Sequence, residues 1–340
     1  MKKLLLILIA LPMIGFGQNV NIPDANFKAY LVGNSFINTN GDSEIQVSEA
    51  AAFNGSIFCY NLNISDLSGV ESFTDLTNLT CSNNQLTSID LSYNTALTSL
   101  NCGNNQLTNL DVSNNLALTI FNCEGNQLTN LDVTSNTSLI ELKIDSNQLT
   151  SLDVSNNLAL TFFNCGGNQL TSLDVSQNLA LTELFCYSNQ LTSLNLSGAS
   201  NLEWVACHFN QLTSLDGSTN TALNRLDVSN NQLIALDIRN GNNTNIGTGF
   251  WQGFISSGNN NLTCINVDDD AWSTANWTNI DAQHYFSTNC PPPSTIQEQT
   301  TNKELLKVTD LLGRETKQTN QPLFYIYDDG TVEKRIVIEQ

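Results

Sequence analysis

The side chains with the greatest chemical potential in this 340-residue sequence are nine cysteines and two histidines, His208 and His284. A cysteine beside a histidine could be a nucleophile, and two cysteines in an exported chain could be a disulfide. The stretch LTFFNCGGNQL, residues 160–170, puts the choice sharply: two adjacent phenylalanines, then a lone Cys165 that is bonded, catalytic or only buried. Spacing decides. The tripeptide Asn-Gln-Leu begins at Asn84, Asn105, Asn126, Asn147, Asn168, Asn189, Asn210 and Asn231, always 21 residues apart. In that frame Cys81, Cys102, Cys123, Cys165, Cys186 and Cys207 share the sixth position of the unit LxxLxCxxNQLTxLDVSxNxA. Cys59 leads the same column, and Ile144 and Val228 replace cysteine on two rungs. A position that accepts Cys, Ile or Val asks for a small buried apolar group. Stacked strands hold parallel side chains ~4.8 Å apart, whereas a disulfide needs Cβ atoms at about 3.5–4.5 Å turned toward each other. Reduced, inert thiols are therefore expected. Cys264 and Cys290 stand outside the column, flank the last repeat and are expected to pair. No spacing places a Ser or Cys with either histidine as acid–base chemistry would need, so an enzyme is not expected.

The elements that carry this column follow from periodicity. Positions four and six lie two apart, so they share the inner face of a short strand, while five and seven face outward. A 21-residue unit cannot bury its own apolar face, but stacked units make a continuous core. Asn at position nine forms a column at the bend, where its amide can satisfy backbone groups freed from strand pairing. The second apolar run, as in Leu131–Val133, returns with Leu and Val inward and Asp132 outward. These repeats resemble the leucine-rich repeat, matching LxxLxLxxNxL over residues 57–262. The resemblance implies an α/β-type curved solenoid with a parallel sheet on its concave face. The cysteine column is similar to that of some listerial internalins.

Residues 18–56 read as an N-terminal cap. Asp24 caps a helix carrying Phe27, Tyr30 and Leu31. Asn38, Asn40, Asp42, Glu44 and Glu49 then fall at positions 1, 3, 5, 7 and 12 of a loop, the spacing with which an EF-hand wraps calcium. Position one is Asn rather than Asp, and position six is Ser43 rather than Gly, so both a calcium site and a metal-free cap stay open. Residues 263–290 form the C-terminal cap, with Asp268, Asp269 and Asp270 in a polar turn. The interval from Asn231 to Asn260 exceeds the repeat by eight residues, and Phe250, Trp251 and Phe254 are expected to pack that irregular turn.

The ends speak of export. Lys2, Lys3, the apolar run Leu4–Ile14 and the small Gly15 and Gly17 form a signal peptide over residues 1–17. Residues 291–302 read as a linker. Residues 303–340 resemble a type IX secretion sorting domain, through KVTDLLGRE and the strands of 330–338. That resemblance implies the type IX machinery as partner and a secreted or outer-membrane surface location. No transmembrane segment is expected after the signal, and a monomer is.

Charge narrows the partners. Between Gln18 and Asn302, 25 acidic residues face four basic ones, Lys28, Lys143, Arg225 and Arg239. Such a body repels phosphate backbones and anionic lipid, so no nucleic acid is expected. The seven aspartates at position fifteen, Asp90 through Asp237, could loosely gather cations or be simply solvated. The inward positions barely change along the chain, but positions three, five, seven and eight do. Early rungs carry Asn78, Thr80 and Ser82. Later ones carry Glu141, Lys143 and Asp145, then Phe162, then Glu183, Phe185 and Tyr187, then Trp204, His208 and Phe209, then Arg225. Core packing does not explain large aromatics on an outer face, and aromatic clusters rimmed by charge mark interaction sites. A protein or peptide ligand on the concave face is the first expectation. A glycan stacked on the same rings is the alternative.

Overall fold

A computed structural model describes residues 17–247 and 253–292, the tail strands 305–309, 322–327 and 332–336, and residue 315. The signal-peptide reading therefore lies almost wholly outside the described residues, as do Phe250, Trp251 and most of the linker. The chain divides into two units, Met1–Pro291 and Pro292–Gln340.

In the first unit each repeat supplies one three-residue strand. These are β1 (Ser56–Phe58), β2 (Asn78–Thr80), β3 (Ser99–Asn101), β4 (Ile120–Asn122), β5 (Glu141–Lys143), β6 (Phe162–Asn164), β7 (Glu183–Phe185) and β8 (Trp204–Ala206). Pairing is parallel and in register throughout, Leu100 beside Phe121, Phe121 beside Leu142, Leu142 beside Phe163. After β9 (Ser214–Asp216) the sheet continues with β10 (Arg225–Asp227) and, past β11 (Ala235–Asp237), β12 (Phe254–Ile255), ten strands in all. Strands β9, β11, β13 (Cys264–Asn266) and β14 (Tyr285–Ser287) form a second, four-stranded parallel sheet from the return segments. Strands this short persist because each rung buries its Leu at positions one, four and eleven and its Cys at six, all fully buried from Leu97 to Leu107.

Polar columns tie the rungs. Asn126 Nδ2 donates to Cys102 O of the rung before (3.1 Å) and to Cys123 O of its own (3.0 Å), while its Oδ1 accepts from Leu107 N (3.0 Å). The same set recurs at Asn105, Asn147 and Asn168. Asn259, not Asn260, takes this place on the last rung, accepting from Leu233 N and donating to Val228 O, so the excess over the repeat is seven residues. A second column escaped the sequence reading. Asn at position nineteen, such as Asn115, donates to Leu91 O and Asn94 O of the preceding rung. The aspartates at fifteen neither gather cations nor idle in solvent: each accepts from the backbone N–H two residues on, as Asp111 does from Ser113 (2.9 Å). Asn195 makes the same bond to Ser197 (3.0 Å), so the turn needs an oxygen rather than a charge.

The caps close the ends. In α1 (Ala25–Val32) Asp24 accepts from Asn26 N and Phe27 N, and Phe27 and Leu31 are fully buried. After α2 (Val47–Ala52) the chain enters β1 at Ser56. At the other end Asp269 caps α3 (Asp270–Asn276) by accepting from Trp272 N, a helix in place of the expected polar turn. Phe254 packs on Trp277 at 4.4 Å, and Cys264 is bonded to Cys290.

The second unit, among its described residues, is an antiparallel sheet of β15 (Leu305–Thr309), β16 (Pro322–Tyr327) and β17 (Val332–Ile336), in that order.

Candidate functional site

The thiols offer no chemistry. Cys59, Cys81, Cys102, Cys123, Cys165, Cys186 and Cys207 are all free and buried. Burial pushes Cys59 and Cys102 up to about 12 and the others higher, so no thiolate forms at neutral pH. One acid–base grouping invisible in the sequence does assemble: Ser256 Oγ lies 3.2 Å from His284 Nδ1, and His284 Nε2 lies 3.5 Å from Asp281 Oδ2. Ser256 is wholly buried, Asp281 is spent on Gly258 N and Asn259 N, and His284 Nδ1 already accepts from Asp281 N. The trio pins the C-terminal cap.

The loop whose spacing matches calcium is closed by hydrogen bonds. Glu49 accepts from Thr39 N, Thr39 Oγ1, Asn40 N and Gln46 N, between 2.8 and 3.1 Å. Burial raises its carboxyl, but these donors outweigh it and hold the group below the usual range. Lys28 takes Glu44 at 2.6 Å. Asn38 Oδ1 accepts from Gly41 N, and Asp42 accepts from the amides of Asn40 and Gln46. Among the described residues no three His, Cys, Asp or Glu side chains converge as a metal site would need. A hollow of about 600 Å³ beside this cap, lined by Phe36, Glu49 and Phe53, lies away from the aromatic face.

That face is where the variable residues gather. Phe162, Phe185 and Trp204 sit half-buried on three successive strands, Phe185 between the other two at 5.4 and 4.7 Å. Phe185 meets Trp204 edge-on at 79°. The outward ring faces are taken by cations: Lys143 Nζ stands 5.0 Å over Phe162, and the Arg225 guanidinium 4.7 Å over Trp204. Lys143 also pairs with Glu141 at 2.5 Å. In the register, Glu183 lies between Phe162 and Trp204.

Position seven forms a second row beside the first. Tyr187 stacks on His208 at 5.0 Å and 6°, and His208 meets Phe209 edge-on. His208 Nδ1 is 3.2 Å from Asp227 Oδ2, close enough for an ion pair but misaligned for a hydrogen bond. Tyr187 lies back over the preceding rung at Gly166, where an added Cβ would come within 2.5 Å of its ring. Glu124 lies over Gly103 in the same way. Asp145 accepts from Asn164 Nδ2 at 2.9 Å, and its carboxyl is pushed up by burial and then by Glu124. Position eight is left-handed on every rung, held by Asn, Ser or Gly at residues such as Asn104 (φ 55°) and Ser146 (φ 57°). Phe209 breaks that rule at φ 54° with a ring 56% exposed. The sequence reading missed Glu124, the Gly103 and Gly166 notches, and the exposed Phe58 and Tyr60 on the first rung.

Parallel three-residue strands at a 21-residue interval, Leu inward at one, four and eleven, and an Asn column closing each bend decide the architecture. The chain is a leucine-rich repeat solenoid. The solenoid is similar to the functional domain of InlJ from Listeria monocytogenes, described as including a cysteine ladder. Identity is 31%, with a TM-score of 0.55 over 73% of this chain and 66% of that one. It also shares its fold with internalin C2 of the same organism, at 21% identity and a TM-score of 0.54, over 59% of this chain and 91% of that one. The chain thus spans just under two thirds of the InlJ chain. No family model and no curated protein sequence matches the solenoid.

Proposed function

We propose that this chain is an exported or surface-displayed, non-catalytic binding protein that recognises a protein or peptide through the concave face of its ten-stranded sheet. The observation that carries the reading is the aromatic row Phe162–Phe185–Trp204, half-exposed on a face whose inward side is already a complete core. Its geometry favours polypeptide over sugar. A pyranose stacks on an open ring face, but here rings interlock edge to face and the Phe162 and Trp204 faces carry Lys143 and Arg225. Clefts between interlocked rings suit apolar side chains, the anchors of protein interfaces. Export rests on the signal-like leader and on the tail, whose three antiparallel strands are consistent with a sorting module read by a type IX machinery. Among the described residues no helix is long and apolar enough to cross a membrane.

The test replaces Phe162, Phe185, Tyr187 and Trp204 with Ser and compares binding to cells or matrix. Binding is expected to be lost while circular dichroism and melting stay near wild type. Unchanged binding by a folded variant would remove the concave face from the account, and wild-type binding on a glycan array but not in a protein pull-down would favour the sugar reading.

A further inference from the structure

The charge on the concave face is not balanced from within. From β4 to β10 it carries five carboxylates, Glu124, Glu141, Asp145, Glu183 and Asp227, against Lys143 and Arg225, an excess of three. Both cations are committed, Lys143 to Glu141 and Phe162, Arg225 to Trp204. Asp227 has His208. Glu124 and Asp145, on adjacent rungs, have only neutral amides within reach, Asn104 Nδ2 at 3.4 Å and Asn164 Nδ2 at 2.9 Å, and neither is ion-paired among the described residues. Neighbouring carboxylates repel, and partial burial of Asp145 strengthens the repulsion. The pair abuts the aromatic row directly: Asp145 is one rung from Phe162, and Asn164, which holds Asp145, lies on the same strand as Phe162.

We propose that the partner segment seated on this face is basic and extended, placing a Lys or Arg side chain between Glu124 and Asp145 and apolar side chains against Phe162, Phe185 and Trp204. The inference rests on the concave-face reading and adds the chemistry of the occupant. An incoming cation supplies the positive charge the face lacks and relieves the repulsion between the two rungs, a gain available only in the complex. An acidic segment would add to the excess. A neutral apolar segment would leave the carboxylates partly desolvated with nothing to pair.

The experiment uses the full chain and three labelled twelve-residue peptides of alternating Leu with Lys, Gln or Glu, read by fluorescence anisotropy. Glu124→Gln with Asp145→Asn keeps every side-chain oxygen that accepts a bond and removes two charges. Asp111→Asn with Asp132→Asn removes two charges from the opposite side, where Asn195 shows that Asn supports the same turn. The Lys peptide is expected to bind, and E124Q/D145N to weaken it about tenfold, the scale of a lost charge pair in a partly desolvated interface. D111N/D132N should weaken it less than about twofold, since exposed charges that far away are screened. Equal loss in both variants would reduce the effect to net charge and overturn the proposal. Equal binding of the Gln or Glu peptide, or no binding of the Lys peptide, would overturn it too. Phe185→Ser with Trp204→Ser separates the two layers. If that variant abolishes binding of all three peptides equally and E124Q/D145N changes none, the face binds but its partner is not basic. If the aromatic change alters nothing while E124Q/D145N does, the aromatic reading fails.

Discussion

Replacing Asn126 with Ala removes one link of the bend column and tests what holds adjacent rungs together. Its side chain satisfies Leu107 N and Cys102 O on one rung and Cys123 O on its own, all at 3.0–3.1 Å. Asn126 is 8% exposed, so water cannot readily replace it. A buried backbone group left unpaired costs about 1–3 kcal/mol. Two of the three are on the neighbouring rung and cannot be rescued by local rearrangement, so the expected loss is about 3–5 kcal/mol. For a body of this size each kcal/mol shifts the midpoint by about 2–4 °C, and the variant should melt roughly 6–15 °C below wild type. The assay is thermal and urea unfolding followed by far-UV circular dichroism, with exposed Gln127→Ala as control. Hydrogen exchange should show protection falling first at Leu107 and its neighbours. A loss below about 1 kcal/mol, or one equal to that of Gln127→Ala, would refute the claim that the amide column rather than Leu packing fixes the bend.

Phe209→Asn should melt no lower than wild type, because a left-handed backbone costs an ordinary residue about 1–2 kcal/mol that Asn largely avoids, yet it should weaken partner binding. Lower stability would show that the ring serves the fold. Acid should unfold the first unit through the position-fifteen aspartates. Hydrogen bonds hold Asp90, Asp111, Asp132 and Asp174 below the usual carboxylate range, so the unfolded chain takes up protons first. The stability they add is complete above the unfolded value near 4 and drains away as pH falls through the lower folded values. Melting should hold steady from those groups above pH 5 and drop below pH 4, less steeply in D111N/D132N. Ellman titration should find the seven ladder thiols silent in the native chain and all reactive in denaturant, and Cys123→Val should be close to neutral because Ile144 and Val228 fill the same column. Calcium titration by calorimetry should give no heat up to millimolar metal, since Glu49 would have to abandon four donors; clear saturable heat would restore the calcium reading of the cap.

Much of this architecture could be read directly because the same 21 letters repeat. Leu and Cys at positions one, four, six and eleven declare the inner face by alternation, and a position tolerating Cys, Ile and Val can only be apolar and closed. The division of LTFFNCGGNQL into an inward Phe163 and an outward Phe162 needed nothing more. What was hidden depends on contacts between rungs. Asn115 looks like any loop asparagine until its amide is seen reaching carbonyls 24 and 21 residues back. Asp111 looks like surface charge until the backbone folds onto it. Asn259 and Asn260 are indistinguishable as letters, and only the one-residue detour before Leu262 selects the first. Ser256 and His284, 28 residues apart in an irregular cap, share no period that could have paired them.

The glycine at position seven has one further consequence. Tyr187 rests where a side chain of residue 166 would otherwise stand, and Glu124 does the same over residue 103. The surface is therefore written in overlapping pairs, each long side chain needing a permissive neighbour 21 residues upstream. Recombination between repeats could lengthen or shorten this rod without disturbing the core, since every inner face is interchangeable. It would carry the recognition pattern intact only where the crossover leaves Gly166 joined to Tyr187, so the heritable unit of specificity is two rungs although the unit of folding is one.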